Sequence, residues 1–478
     1  MSDFFSNNSG VAALSGSFDQ TGADGSSNFI SASADVYGPE SYSVSAQEFT
    51  FEDQVYQSQL SFSATATTGT GDISATAISN SDIVTGIDGD LLYINAFANG
   101  TQWLSTFDEL TGLFTWTSGQ ADTSLAIGID NSTLSLGDGD DNLSVDAWAS
   151  GADPTAIGIL DSSVQTGLGD DQLNVWASTS DSTTSDPAIG IQDSGIITDS
   201  GYDDINVSAN ADGTSSNLEA TGLLGTSVDS ETQPILSTGA DSDSVYISAS
   251  ANGSQWNDIW NESTQSWEWT LQQADVSTAI GINNYSVDLG DGDDNLSVDA
   301  WASGADPTAI GVLNTKINAG SGHDTVVISS AIDQPDDSDR TGLAVKGSSI
   351  HLGTGDDKLT IRGDIENSQV YGGDGFDSAS VYISSDSYQL SFITGSALNY
   401  YRLTYGARSL AIYSIEQLEI NDQGPIFLEY SDIATEDSTQ ASPATSESSV
   451  STPPSSSKSR TRKRRRVRES RNRARARR

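Results

Sequence analysis

A five-residue turn built on glycine and aspartate returns nine times along this 478-residue chain, and no other feature restricts its fold as strongly. It reads GIDGD at Gly86, GDGDD at Gly137, GLGDD at Gly167, DSGYD at Asp199 and GADSD at Gly239. It continues as GDGDD at Gly290, GSGHD at Gly320, GTGDD at Gly353 and GDGFD at Gly373. The closing acids are Asp90, Asp141, Asp171, Asp203, Asp243, Asp294, Asp324, Asp357 and Asp377, at intervals of 51, 30, 32, 40, 51, 30, 33 and 20 residues. After each turn apolar residues alternate, as Leu143, Val145, Ala147 and Ala149 do, which is the period of a strand with one buried face. Such strands cannot bury that face alone. Stacking coil on coil buries it and pairs the backbone at about 4.8 Å per layer. The sequence therefore predicts an all-β fold: a parallel β-solenoid with coils of about thirty residues.

A longer duplication lies over the short one, because residues 93–160 reappear at 246–313 without a gap. Two segments, 101–124 and 254–277, lengthen their coils and hold six of the nine tryptophans: Trp103, Trp116, Trp256, Trp260, Trp267 and Trp269. Each reads as a hairpin insert. It would either fold over the solenoid flank onto the outward Trp148, Trp176 or Trp301, or present an aromatic platform. That platform would consist of Trp148, Trp176, Trp301, Trp256 and Trp260. The expected divisions are degenerate first coils (1–60), the solenoid (61–385) and an atypical end that covers its last layer (386–430). A Ser/Pro-rich disordered linker (431–457) and a basic tail (458–478) follow.

Composition removes several kinds of chemistry. No cysteine is present, which excludes disulfide scaffolds, thiolate metal sites and cysteine nucleophiles. His323 and His351 are the two histidines, one in a turn and one beside a turn, and both read as structural. No HExxH, GxSxG or GKS/T motif occurs, and turn repetition accounts for the abundant paired carboxylates, so no catalysis is expected. No apolar stretch is long enough to span a membrane as a helix. The opening residues have neither a basic region nor an apolar one, so the chain reads as cytoplasmic or exported without an N-terminal signal.

Charge is distributed with extreme asymmetry. Residues 458–478 hold 13 of the 20 Lys+Arg, so residues 1–457 carry 7 bases against 66 acids, a net of 7 − 66 = −59. Two carboxylates one layer apart repel by about 0.9 kcal/mol in water and about 3.5 kcal/mol at an effective dielectric of 20. A stack of them calls for counter-ions. Oxygen donors on glycine turns suit a hard divalent cation, calcium better than magnesium, which dehydrates reluctantly. The plain alternative is a set of Asp-Gly turns on an acidic solenoid whose surface charge maintains solubility.

The turn with its following strand, fullest in VYGGDGFDSASV at 370–381, resembles the nonapeptide of the RTX, or haemolysin-type calcium-binding, repeat family. SIEQLEINDQG at 414–424 is similar to the segment that often ends such rolls. The resemblance implies calcium bound between coils by the closing Asp and by turn carbonyls. It assigns the carboxylate role to Asp141, Asp171, Asp294, Asp324, Asp357 and Asp377, and less directly to Asp90, Asp203 and Asp243, where Asp88, Asp199 and Asp241 replace turn glycines. The supporting glycines would be Gly137, Gly139, Gly167, Gly169, Gly290, Gly292, Gly320, Gly322, Gly353, Gly355, Gly373 and Gly375. Family repeats run every nine residues with turns on both edges, whereas one turn per coil here implies a single row of several Ca2+ ions. The resemblance also implies type I export through an uncleaved C-terminal signal.

The expectation is a non-enzymatic, calcium-binding extracellular protein of a bacterial surface, adhesive or matrix layer. Two other classes fit parts of the chain. One is a binder of nucleic acid or another polyanion, acting through Arg460, Arg462, Lys463, Arg464, Arg465, Arg466 and Arg468. The same tail suits an anionic cell surface or the acidic solenoid of a neighbour. The other is a carbohydrate-binding module that uses the Trp-rich hairpins.

Overall fold

The long strand after each turn forms because its alternate residues are apolar and β-branched or small, and stacking buries all of them on one side. In Asn142–Ser150, Leu143, Val145, Ala147 and Ala149 are buried while Asn142, Ser144, Asp146 and Trp148 face outward. Its parallel neighbours repeat the pattern in register: Leu143 pairs with Leu92 and Leu173, and Val145 with Ile94 and Val175. Like therefore stacks on like. Fourteen strands join in this way, from Phe4–Asn7 to Gln417–Ile420 and Ile426–Phe427, all parallel until the last antiparallel pair.

A second and a third strand complete each coil and belong to the other large sheet. In the coil that follows Asn142–Ser150 they are Pro154–Leu160 and Ser163–Gln165. In the AIG segment of the second strand, the pairing skips glycine: Ile157 pairs with Ile127 and Ile159 with Ile129, but Gly158 is passed over. The slip turns both Gly158 and Ile159 to the core. A Cβ on Gly158 would lie 2.3 Å from Val175 Cγ1, so only glycine fits there.

These elements come from a computed structural model that describes residues 4–430, apart from 8–13, 21–27, 38–40, 54–56, 69, 109–112, 181–184, 215–216, 228–232, 262–264, 334–341 and 396–397. The Ser/Pro-rich linker and the basic tail lie outside the described residues. The parallel all-β solenoid expected from the repeats is the fold observed.

Both inserts form antiparallel hairpins in separate two-stranded sheets: Thr101–Asp108 with Leu113–Gln120, and Ser254–Asn261 with Ser266–Gln273. Most of the side chains that would pack on Trp148, Trp176 or Trp301, or form an aromatic platform, lie outside the described residues. Phe114, Trp267 and Trp269 are 62%, 65% and 68% exposed, and Trp176 on the flank is 53% exposed. Each hairpin replaces the turn between the long and second strands, its main chain pairs within itself, and Gln255 of the second donates to Asp212 Oδ1 of the preceding coil at 3.1 Å.

At the far end the coil pattern gives way to an antiparallel meander. Tyr400–Tyr405 lies between Gln389–Ile393 and Arg408–Tyr413, and the last of these pairs parallel with Ser368–Asp374. An Arg408–Asp364 ion pair joins this meander to the preceding coil. His351 stacks on Tyr371 at 4.4 Å and Tyr371 on Tyr413 at 4.5 Å, an aromatic column on the outer face.

Candidate cation site along the turn edge

The turns owe their shape to residues in the left-handed region. Gly137, Gly139, Gly167, Gly169, Gly290, Gly292, Gly320, Gly322, Gly353, Gly355, Gly373 and Gly375 all have φ between 96° and 157°. Close stacking adds a second requirement for glycine. A Cβ on Gly169 would lie 2.0 Å from the Gly139 carbonyl oxygen of the neighbouring layer. Asp199 and Asp241 adopt φ 67° and 79° in the same places, so these two substitutions retain a left-handed turn. Gly86 and Asp88 do not, and the Asp90 turn has a different backbone.

The structure brings all nine closing aspartates into a single internal ladder. Each is between 0% and 3% exposed. The N–H of Asp141 donates to Asp171 Oδ1 at 2.8 Å, that of Asp171 to Asp203 Oδ1 at 2.9 Å, and that of Asp203 to Asp243 Oδ1 at 2.9 Å. The chain continues through Asp294, Asp324 and Asp357 to Asp377, at 2.8 to 3.0 Å per step. Asp90 heads the row by donating to Asp141 Oδ1 at 2.6 Å, and Glu416 ends it by accepting the Asp377 N–H at 2.8 Å.

One oxygen of each carboxylate is thereby used; the other is not. Oδ2 of Asp141, Asp171, Asp203, Asp243, Asp294, Asp324, Asp357 and Asp377 is buried without a hydrogen-bond partner. Thr166, Thr198 and Thr238 stand close enough to Asp171, Asp203 and Asp243 to offset part of the burial. Yet the hydroxyls of Thr198 and Thr238 donate to the carbonyls of Thr238 and Leu289, which leaves Oδ2 unmatched. At Asp377, Oδ2 lies 2.4 Å from where a Cβ on Gly372 would stand, inside space that glycine leaves open.

Burial dominates the protonation of these groups. It pushes Asp141 up to about 8, with Asp171, Asp90 and Asp140 adding repulsion against the stabilising Asp90 N–H. Asp203 and Asp294 rise to about 7, and Asp171, Asp324 and Asp377 to about 6, for the same first reason. Asp243 and Asp357 are raised as well. Buried carboxyls with an unmatched oxygen stabilise the charged form only if a cation sits beside them.

A second internal ladder, at the corner between the second and third strands of each coil, lacks this deficit. Ser81 N–H donates to Ser132 Oγ, Ser132 N–H to Ser162 Oγ and Ser162 N–H to Ser194 Oγ, each at 3.0 Å. Every hydroxyl donates in turn to the carbonyl two residues upstream, as Ser132 does to Asp130 O at 2.7 Å. Donor and acceptor are both used, so the serine corner is complete without an ion. Its signature, Asn or Asp followed by Ser nine residues before the closing Asp, was legible as Asn131-Ser132 and Asp161-Ser162 but is masked by the serine-rich composition.

An outer row runs beside the aspartate ladder. Asp170 N–H donates to Asp140 Oδ1, His323 N–H to Asp293 Oδ1 and Asp356 N–H to His323 Nδ1. His323 is thus a turn-bridging acceptor, and His351 belongs to the aromatic column. Among the described residues no three Asp, Glu or His side chains converge, so a cation here would draw on one carboxylate per turn together with main-chain carbonyls. Glu416 escaped the sequence reading because it follows no glycine turn.

The aromatic candidates separate. Trp148 and Trp176 lie on adjacent long strands, but two strands intervene between those carrying Trp176 and Trp301. The side chains of Trp256 and Trp260 lie outside the described residues.

No family model matches the chain, and no curated protein matches it. Among solved structures, the X-ray crystal structure of a hyperactive, Ca2+-dependent, beta-helical antifreeze protein from an Antarctic bacterium matches at 15% identity and a TM-score of 0.32. That match covers 88% of this chain and 96% of the other. The solenoid assignment stands on the strand registers of the chain itself.

Proposed function

We propose that the chain is a non-catalytic, calcium-stabilised repeat protein that works outside the cell as a surface, adhesive or matrix scaffold. The observation that carries this reading is the row of eight buried aspartate Oδ2 atoms without hydrogen-bond partners, beside a serine ladder that lacks none. Calcium, a hard cation of flexible coordination, would be held by those oxygens with turn carbonyls and would neutralise the stacked charge. Extracellular calcium would then couple export to folding, since binding to the folded state alone stabilises it by mass action. The basic tail, with 13 Lys+Arg in 21 residues, would supply a salt-sensitive tether to an anionic surface.

The test is circular dichroism and sedimentation of the full chain in chelator, then with calcium or magnesium added to millimolar levels. A calcium-selective gain in β-structure and compaction is expected, and it should be lost when Asp141, Asp171, Asp294 and Asp324 are all changed to Ala. A chain equally folded and equally heat-resistant in chelator and in calcium would refute the reading.

A further inference from the structure

The outward face of the long-strand sheet carries one carboxylate set among aromatic rings. Asp146 lies directly opposite Asn95 on one neighbouring strand and Trp176 on the other. Tyr93 and Phe97 occupy the diagonal positions on the Leu91–Asn99 strand, and Trp148 follows two residues along its own strand on the same face. Diagonal neighbours on a sheet stand about 7–8 Å apart, within reach of aromatic side chains. Four rings therefore surround one acid. Tyr93 and Trp176 are 40% and 53% exposed, so their surfaces are open to a ligand.

The duplication supplies an internal comparison. Residues 153 positions later rebuild the same backbone with Tyr246, Asp299 and Trp301, but Phe97 becomes Ser250 and Trp176 becomes Ser329. In that copy the Tyr246 hydroxyl engages Asp299. In the first copy burial raises the carboxyl of Asp146, and the strands that pair with its own carry no Lys or Arg.

We infer that Tyr93, Phe97, Asp146, Trp148 and Trp176 form a binding site for an amino sugar carrying a protonated amine, presented along a glycan chain. The rings offer faces for the sugar's C–H surface and for cation–π contact, and Asp146 offers the counter-charge. Asn95, Asn174 and Ser178, on the same outward face, offer hydrogen-bonding groups to ring hydroxyls. Acidic glycans are disfavoured there, because the surrounding coils carry only negative charge.

The experiment titrates calcium-loaded full-length protein with a glucosamine oligomer and with its N-acetylated counterpart of equal length, by calorimetry and tryptophan fluorescence. The glucosamine oligomer is expected to bind at least tenfold more tightly. Asp146→Asn and Trp176→Ser should each weaken it at least tenfold with an unchanged CD spectrum, whereas Asp299→Asn should not. Trp176→Ser installs the residue that the second copy already accommodates at Ser329, so folding is expected to survive it. Equal affinity for the acetylated oligomer, no binding at all, or equal losses in Asp146→Asn and Asp299→Asn would overturn the site. The last result would mean that the acidic shell alone attracts the polycation. Calcium dependence of the CD spectrum is read separately, so failure of the scaffold reading is not confused with failure of this one.

Discussion

At the turn edge, individual residues set the solution behaviour. The ordinary aspartate value is 3.8, and the folded state lifts Asp141 to about 8 and Asp203 and Asp294 to about 7. A group raised on folding stabilises the fold fully below its unfolded value and loses that contribution as pH climbs through the folded one. In chelator the melting temperature should therefore fall between about pH 4 and pH 8, as the ladder is forced to ionise. With calcium in excess the fall should shrink or reverse, because the ion binds the charged form. Thermal melts across that range decide it, and a chelated protein that gains stability toward pH 8 would contradict the ladder's role. The glycines act through sterics instead. Gly169→Ala must fit a methyl 2.0 Å from a carbonyl oxygen at φ 140°, and should cost at least about 1–3 kcal/mol by chemical denaturation. Asp241→Gly, at φ 79°, should be neutral or stabilising in the same assay, since glycine enters that region freely.

Among the elements, the serine corner changes at Tyr285, which stands after Val276–Asn283 where Ser132 stands after Thr123–Asp130, 153 residues earlier. Its ring is wholly buried and its hydroxyl donates to the Ser194 carbonyl, two layers away. Tyr285→Ala should cost about 3–5 kcal/mol, as removal of a buried aromatic ring does. Tyr285→Phe should cost only about 1 kcal/mol, for the lost hydrogen bond. Equal losses would mean that the ring fills no space of its own. The hairpins make the opposite case. Replacing 100–123 by the tight turn of residues 151–153 should leave the calcium-loaded melting temperature within a few degrees, because the main chain of each hairpin pairs within itself. A large drop would show that the insert supports the coil.

Over the whole molecule, the repeat period made the architecture legible. Nine turns, each followed by an alternating strand, admit few arrangements other than stacked parallel coils, because each strand's apolar face needs an identical neighbour to cover it. The alignment of the closing aspartates was legible for the same reason: equivalent positions in equal coils must stack. What the periodicity leaves open is the state of each side chain within its column. The lone Oδ2 atoms, the self-satisfied serine corner and the extension of the ladder to Glu416 depend on hydrogen bonds between layers 20 to 51 residues apart. The hairpins were recognisable from their tryptophans. The ring cluster around Asp146 combines three coils, none of which is distinctive alone. Periodic burial is a local property that sequence spacing carries, whereas the pairing of polar atoms and the gathering of rings are properties of the stack, which exists only once the coils are in register.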